Sequence, residues 1–178
     1  NMYVCYTQGV EEPWAFVTAL GKDIFMLNAH YYRLCKSRVE AKKPVDIAMV
    51  PLVNVLHGDM KTVFHLNLAN LFHFYPPTQE MIDNDVWVFR ITNMRPHRNI
   101  VDSFISEEEL SKYKDRLPVV STYLRHDGSD NILATNIVDA HINRTAFDSD
   151  ILHMRTYLTT SFQSESGDCG SIVVCHDP

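Results

Sequence analysis

The chain has 178 residues, of which 46% are apolar and 21% are charged, and this balance predicts a well-packed globular protein rather than a disordered one. Its net charge of -6 argues against nucleic-acid binding through bulk positive charge, although a local basic patch is compatible with it. The apolar stretches fall short of the ~18 residues that cross a membrane, so we expect no membrane segment and no signal peptide.

Short segments rich in Val, Ile, Phe and Tyr recur along the whole chain, separated by polar or Gly/Pro breaks. Many short strands at this spacing are typical of a β-barrel or sandwich and not of βαβ units. The predicted strands are residues 2–7, 14–20, 24–28, 45–50, 62–68, 85–91, 119–124, 132–138, 154–159 and 171–175.

Two segments predict helix within this β-rich pattern. His30 opens residues 30–35, which follow a strand and predict a single helical turn. Further on, Ser106 is followed three residues later by Glu109, the signature of a helix-capping box. Acidic residues at its front and lysines behind suit the dipole of a short helix. We expect this helix, or the loop that holds it, to link two β-rich halves.

The segment S-G-D-C-G-S-I-V-V, residues 166–174, places a cysteine between two glycines and then runs into β-branched residues. A buried structural cysteine does not need flanking glycines, whereas a nucleophilic cysteine at the tip of a sharp turn does. Gly167 and Gly170 allow the backbone to aim the amides of Gly167 and Cys169 at one point, where each would stabilise an oxyanion by roughly 3–4 kcal/mol. Gly167, Asp168 and Cys169 therefore form the predicted oxyanion hole.

A thiol with a pKa of ~8.5 is only slightly ionised at pH 7, so Cys169 needs a base that is held by a third group. Among the nine histidines, His30 is the best candidate for this base, because it directly follows an apolar strand and so lies at the strand end. Asp85 opens the strand D-V-W-V-F-R-I, where its carboxylate is predicted to accept the imidazole N–H; Asp83 and Glu80 are the fallbacks. The four cysteines lack C-x-x-C spacing, which favours a reducing compartment and a reactive thiol over a disulfide framework.

Histidine, then an acid, then a nucleophile in G-D-C-G is the order found in chymotrypsin-like proteases, with cysteine in place of serine. The chain more closely resembles the 3C-like cysteine proteases of picornaviruses and related picorna-like viruses. I-F-M-L-N-A-H-Y-Y is similar to that family's strand into the catalytic histidine. D-V-W-V-F-R-I, with R-N-I-V-D-S-F-I at 98–105, is similar to its acid strand and the segment that follows, and S-G-D-C-G-S-I-V-V resembles its nucleophile turn. Together these motifs span most of the chain.

The resemblance implies an all-β fold of two chymotrypsin-like antiparallel β-barrels, joined by a short linking helix or loop. The catalytic residues would lie in the groove between the barrels. The predicted division is residues 1–96 for the N-terminal barrel with His30 and Asp85, residues 97–117 for the linker, and residues 118–178 for the C-terminal barrel with Cys169.

The implied activity is hydrolysis of peptide bonds within a viral polyprotein, through a thioester and after Gln or Glu. Substrate would bind as an extended strand added to a barrel edge. The location would be the cytoplasm of the host cell, and host proteins are further substrates that the resemblance leaves open. It implies no cofactor.

The sequence departs from the family pattern in two places. Ser171 stands where the family usually has a second glycine after the nucleophile. The family also reads the residue before the cut with a histidine in G-x-H well beyond the nucleophile, whereas the sequence given ends at Pro178, and His176 is too close to Cys169 for that role. We therefore expect the closing strands of the second barrel to be missing: either the protein continues past Pro178 or this form is incomplete. Ser164 resembles, by its distance from the cysteine, the hydroxyl that lines the substrate pocket.

Members of this family also bind viral RNA through a basic segment between the barrels. The matching stretch here, M-R-P-H-R-N-I, keeps Arg95 and Arg98 but lacks the usual lysine and acid. Because the chain is also negatively charged overall, viral RNA is left open as a partner but is not favoured.

Two other hypotheses are compatible with the sequence. A non-catalytic β-rich interaction or RNA-binding module would make Cys169 incidental, and alkylating reagents would then not prefer it over the other three cysteines. A metal site built from histidines with Cys175 and His176 is disfavoured, because these residues lack the paired close spacing of metal ligands.

Overall fold

The computed structural model describes residues 1–7, 13–41, 43, 46–125, 131–150, 153–161 and 168–176, and strands dominate them. The strands are β1 (Met2–Thr7), β2 (Pro13–Gly21), β3 (Ile24–Leu27), β4 (Asp46–Pro51), β5 (Phe64–Asn67), β6 (Trp87–Arg90), β7 (Arg116–Leu117), β8 (Val120–Arg125), β9 (Ile132–Ile137), β10 (Ala140–Asn143), β11 (Phe147–Asp148), β12 (His153–Met154), β13 (Tyr157–Thr160) and β14 (Val174–Cys175). The helices are α1 (His30–Glu40), α2 (Leu52–Leu56), α3 (Leu68–Phe74), α4 (Gln79–Asp83) and α5 (Glu107–Ser111), with a 3₁₀ turn at Val101–Ser103.

Six antiparallel strands form the N-terminal sheet, in the order β5-β4-β1-β2-β3-β6, and the sheet curls into a half-barrel. In β6 the alternation of the sequence is visible, since Trp87 and Phe89 are buried while Val88 is half-buried and Arg90 is exposed. The register of β3 with β6 pairs Leu27 with Trp87. The residues that follow β3 therefore lie beside the residues that precede β6.

The N-terminal sheet is buried on both faces where β1 and β2 pair. Side chains alternate across a strand, so Cys5 and its partner Ala15 point into a core that includes residues of α1 and α3. Val4 and its partner Phe16 point into a second core on the opposite face. Ile132 of β9 belongs to this second core. The half-barrel and the C-terminal half are thus joined by an apolar contact in which β2 takes part.

Helices α1 and α3 pack against each other beside this sheet. The ring of Tyr32 stacks on that of Phe72, with centroids 4.6 Å apart, and lies edge-on to the indole of Trp87 at 5.7 Å. The predicted single turn at 30–35 is therefore too short, since α1 continues for eleven residues to Glu40. Its Leu, Lys and Arg residues favour helix, and the aromatic contacts that stabilise it are tertiary ones that the local sequence does not reveal.

Smaller sheets make up the C-terminal half. β8 pairs with β9 over six residues and with β14 on its other edge, β10 lies between β13 and β7, and β11 pairs with β12. The apolar side chains buried in the core of this half are Leu117, Val120, Ile137, Ala140 and Ile142.

No helix among the described residues is long and apolar enough to cross a membrane.

The strand predictions are largely confirmed, because every predicted segment overlaps a strand of the structure. Sequence reasoning missed β7, β10 and β11, which have two to four residues and mixed polar composition. The fold is mostly β, as expected, and helices lie among the strands. The second full barrel and the division at 97–117 stay predictions.

The capping box predicted at Ser106 is confirmed. The Ser106 hydroxyl accepts the backbone N–H of Glu109 at 3.1 Å, and the Glu109 carboxylate accepts the backbone N–H of Ser106 at 2.9 Å. Helix α5 begins directly after this cap, inside the predicted linker.

The burial of Trp87 generates a stability prediction. Its indole is fully buried and donates to the Tyr75 carbonyl at 2.8 Å. Trp87→Ala is expected to lower the free energy of unfolding by about 3–5 kcal/mol, because it removes packing against Phe89 and leaves a cavity. Phe74→Ala, at a side chain that is 68% exposed, is the control and is expected to cost less than about 0.5 kcal/mol. Urea unfolding measures both, and equal losses would contradict the assigned core.

Candidate active site

His30 lies where β3 gives way to α1. The strand anchors this corner through Phe25 and Leu27, which are buried, and Ala29 is buried directly before the histidine. His30 is the first residue of α1, and its side chain remains 42% exposed. The imidazole is therefore held by a rigid strand end while its ring stays accessible to solvent and substrate.

Asp85 faces His30 from the turn that precedes the neighbouring strand β6. One carboxylate oxygen accepts the backbone N–H of His30 at 2.8 Å, and the other lies 2.9 Å from Nδ1 of the same residue. Asn28 donates its side-chain amide to this second oxygen, also at 2.9 Å. Burial alone raises the pKa of the Asp85 carboxyl, but the hydrogen bonds from His30 and Asn28 outweigh it and hold that pKa below its usual value. The fallback acids, Asp83 and Glu80, lie on α4 instead.

The backbone of Asp85 differs from the prediction. It was expected to open the strand in extended conformation, but β6 begins at Trp87 and Asp85 has a φ of 53°. This left-handed region is more accessible to Asp and Asn than to most residues. The turn explains how the carboxylate can reach both the backbone and the ring of His30.

Cys169 lies in a tight turn at 168–170 that is fastened to β2. The backbone N–H of Phe16 donates to the Cys169 carbonyl at 2.8 Å. Gly170 has a φ of +86°, and a Cβ there would lie 2.2 Å from the Phe16 carbonyl oxygen. Glycine is thus required at 170 both for its backbone conformation and for the close approach of another strand.

Ser171 fastens the same turn to β8 in the C-terminal half. Its hydroxyl donates to the Tyr123 carbonyl at 2.7 Å and accepts the Tyr123 N–H at 3.2 Å. The hydroxyl of Thr122 lies 2.9 Å from it. Ser171, which stands where the resembled family usually has a second glycine, therefore has a structural role here, because it binds the turn at 168–170 to β8.

The three predicted catalytic side chains come together. The His30 imidazole is bound to the Asp85 carboxylate through Nδ1 and also interacts with the Cys169 thiol. Hydrogen bonds to Asp85 and Cys169 raise the pKa of His30 to about 9. The hydrogen bond with His30 lowers the pKa of the Cys169 thiol below its ordinary value, against the opposing effect of burial. This arrangement favours a thiolate beside an imidazolium.

The other predicted residues are distributed as follows. Gly167 and Ser164 lie outside the described residues, so the oxyanion hole and the pocket hydroxyl stay predictions. Asp168 is buried beside Cys169, and its carbonyl accepts the Ser171 N–H at 3.3 Å. The two arginines of the basic segment are exposed after β6, on either side of His97, whose ring packs against Phe25 and Tyr3; they are Arg95 and Arg98.

Sequence reasoning missed two side chains at this site, Asn28 and Tyr31. Asn28 donates to the carboxylate of Asp85, and the ring of Tyr31 lies 4.4 Å from the imidazole of His30, centroid to centroid. An amide at the end of an apolar strand was a usable signal for Asn28, because a polar group at such a position needs a partner. Tyr31 gave no comparable signal in the sequence, although it stands next to the candidate base His30.

Comparisons with known proteins leave the chain without an assigned relative. No family model matches it, and no curated protein matches it significantly. Within the part of the chain that the structure describes, no three His, Cys, Asp or Glu residues are grouped so as to hold a metal ion.

The lowered thiol pKa of Cys169 predicts selective alkylation. At pH 7 iodoacetamide should modify Cys169 at least about tenfold faster than Cys5, which is fully buried and whose pKa burial raises. Since the thiolate is the reactive form, the rate should rise with pH and level off below the ordinary thiol pKa. His30→Ala should move that inflection upward, whereas His73→Ala, at an exposed histidine of α3, should not. Mass spectrometry of the modified peptides gives the rates, and equal rates at the two cysteines would contradict the pairing.

The close approach at Gly170 predicts a steric effect that a control can isolate. Gly170→Ala should lower the free energy of unfolding by more than about 1 kcal/mol and end the fast alkylation of Cys169, because the new Cβ collides with Phe16. Gly58→Ala shares the backbone strain, with a φ of +76°, but nothing lies within 4 Å of its Cβ. It should cost less stability and leave the alkylation unchanged. Fast alkylation in Gly170→Ala would show that the turn does not depend on this contact.

Proposed function

We infer that this chain is a cysteine endopeptidase of the 3C-like, chymotrypsin-related class. The observation that carries the inference is that the His30 imidazole is bound to the Asp85 carboxylate and interacts with the Cys169 thiol, so that the three groups share one site. A nucleophile, a base and a group that orients the base are the three parts that covalent hydrolysis of an amide requires. Their order along the chain and the glycines around the cysteine support the same class.

The acylation step follows from the protonation states at the site. The Cys169 thiolate attacks the carbonyl carbon of the scissile peptide, and the displaced electron pair moves onto the carbonyl oxygen. His30, protonated at Nε2, then donates that proton to the leaving nitrogen as the carbon–nitrogen bond breaks. Asp85 keeps the ring oriented through Nδ1 and stabilises its positive charge. The products of this step are a free amine and a thioester on Cys169.

Deacylation uses the same ring in the opposite sense. Neutral His30 accepts a proton from water, which attacks the thioester carbon. The carbon–sulfur bond then breaks, the electron pair returns to Cys169, and the carboxylic acid product leaves. The imidazolium and the thiolate are thereby restored for the next cycle.

The two-barrel arrangement belongs to this proposal. The curled N-terminal sheet supplies His30 and Asp85, as the first barrel of such a protease would. The turn with Cys169 is tied by Ser171 to β8 of the C-terminal half. A catalytic residue set divided between two β-rich halves supports a site in the groove between them, where an extended peptide could add to a strand edge.

The substrate part of the proposal rests on the resemblance alone. By that resemblance the substrate is a viral polyprotein, cut after Gln or Glu in the cytoplasm of the host cell. Host proteins as further substrates and RNA binding through Arg95 and Arg98 rest on the same basis.

Peptide cleavage tests the proposal. The full chain, incubated with a peptide library that varies the residue before the cut, should cleave after Gln or Glu. Cys169→Ala should reduce kcat/KM at least about 10³-fold, because the nucleophile is lost. Cys175→Ala, at a half-buried cysteine of β14, is the matched control and should retain activity. Mass spectrometry of the fragments gives both the rate and the cleavage site.

Two results would contradict the proposal. Cleavage by Cys169→Ala at the parent rate would exclude Cys169 as the nucleophile. A chain that cleaves no peptide and also shows no preferential alkylation of Cys169 would favour the non-catalytic interaction module.

A further inference from the structure

The side chain of Asn28, directly after β3, contacts the candidate acid. Its Nδ2 donates to Oδ2 of Asp85 at 2.9 Å and lies 3.4 Å from the backbone carbonyl oxygen of the same residue. Oδ2 is also the oxygen that lies 2.9 Å from Nδ1 of His30. The other carboxylate oxygen, Oδ1, accepts the backbone N–H of His30 at 2.8 Å. Each oxygen of the carboxylate therefore has one donor that does not titrate.

Packing alone does not fix the orientation of this carboxylate. A cavity of about 150 Å³ lies beside it, bordered by Asp85, Asn28 and Gly170. The carboxylate therefore has room to turn about its Cβ–Cγ bond, although only 17% of the Asp85 side chain is exposed. Two anchored oxygens prevent this rotation, whereas one anchored oxygen does not.

The amide of Asn28 has one orientation that suits this place. Nδ2 faces the carboxylate, because the amide oxygen would be repelled by Oδ2 of Asp85. Oδ1 of Asn28 then lies toward the turn at 168–170, where a Cβ on Gly170 would be 3.3 Å from it. This oxygen is buried and accepts no hydrogen bond from the residues that the structure describes. Such an oxygen lowers stability, so the benefit of asparagine here lies in what its N–H groups bind.

We propose that Asn28 is a positioning residue, which fixes the Asp85 carboxylate in the orientation that binds Nδ1 of His30. The inference rests on the proposed function, in which His30 is the base and Asp85 orients it. Asn28 acts on the imidazole through Asp85. A carboxylate that is held in place keeps the ring aligned and its positive charge stabilised, whereas one that rotates into the cavity does neither.

Titration of His30 without substrate tests the role of Asn28. Every variant is made in a Cys169→Ala background, because the thiol and the imidazole otherwise titrate as a coupled pair. The titratable groups that the described residues then leave beside the ring are the carboxyl of Asp85 and the phenol of Tyr31. Nuclear magnetic resonance of the imidazole from about pH 5 to about pH 10 gives its pKa. The signal of His30 is identified by its loss in His30→Ala.

Asn28→Leu is expected to lower the pKa of His30 by about one pH unit. Leucine keeps nearly the shape of asparagine but donates nothing, so Oδ2 of Asp85 loses its fixed donor and the carboxylate can turn away. The hydrogen bond to Asp85 is the largest cause that raises the pKa of His30, and weakening it therefore lowers that pKa.

Asn28→Asp is the variant that restores the donor. When protonated, the new carboxyl donates to Oδ2 of Asp85 as the amide does, and when ionised it adds negative charge near the ring of His30. In either state the pKa of His30 is expected to stay at or above its value in the Cys169→Ala background.

Asn143→Leu is the matched control. Asn143 lies on β10, and its amide donates to the Thr159 hydroxyl at 2.9 Å. This variant loses a similar hydrogen bond in the C-terminal half, and it is expected to leave the pKa of His30 unchanged.

The outcomes separate this inference from the proposed function. A lower pKa of His30 in Asn28→Leu but not in Asn28→Asp supports the inference even if the chain cleaves no peptide. An unchanged or higher pKa in Asn28→Leu overturns it, even where the parent chain cleaves peptides with full activity. An equal fall in Asn28→Asp or in Asn143→Leu also overturns it, because the effect would then not come from the donor to Asp85.

Discussion

The site depends on one imidazole that is bound on both sides by acidic groups. Asp85 is bound to Nδ1 of His30 and Cys169 interacts with the same imidazole, so two acidic groups stabilise a positive charge on the ring. The same charge stabilises both neighbours as anions, which is why the pKa values of the carboxyl and the thiol fall while that of the imidazole rises to about 9. The three groups together therefore favour a thiolate beside an imidazolium.

The geometry of this network comes from the N-terminal sheet more than from the residues themselves. The pairing of β3 with β6 brings the corner after Leu27 against the turn before Trp87. Asn28 stiffens the junction, since its amide hydrogen bonds the Asp85 carboxylate at the point where the backbone leaves the strand. His30 and Asp85, which are far apart in sequence, are therefore neighbours because the adjacent strands β3 and β6 pair in this register.

Local sequence was sufficient for the features that local chemistry determines. The strand segments, the capping box at Ser106, and the candidates His30, Asp85 and Cys169 could all be predicted, because each has a characteristic neighbourhood of apolar, acidic or glycine residues. The chemistry of an activated thiol then indicated that these three should meet.

Features that arise only from packing could not be predicted. The full length of α1 depends on the stacking of Tyr32, and the place of the Tyr31 ring beside the His30 imidazole depends on where that helix lies. The turn of Asp85 and the close approach at Gly170 are likewise relations between distant segments. The importance of a glycine at position 170 was therefore predicted, but the steric reason for it is the close approach of β2 and not the turn itself.

Phe16 contacts both the hydrophobic core and the turn that carries Cys169. Its side chain belongs to the core shared by the two halves, its N–H holds the Cys169 carbonyl, and its own carbonyl crowds Gly170. Neighbouring residues of a strand present their side chains to opposite faces, so a slip of β2 by one position would turn both the core contact and the anchor away. The position of the Cys169 thiol therefore depends on the register of β2, a strand in the other half of the molecule. Under the proposed function, a chain in which β1 and β2 are mispaired would have no activity even though Cys169, His30 and Asp85 were all present.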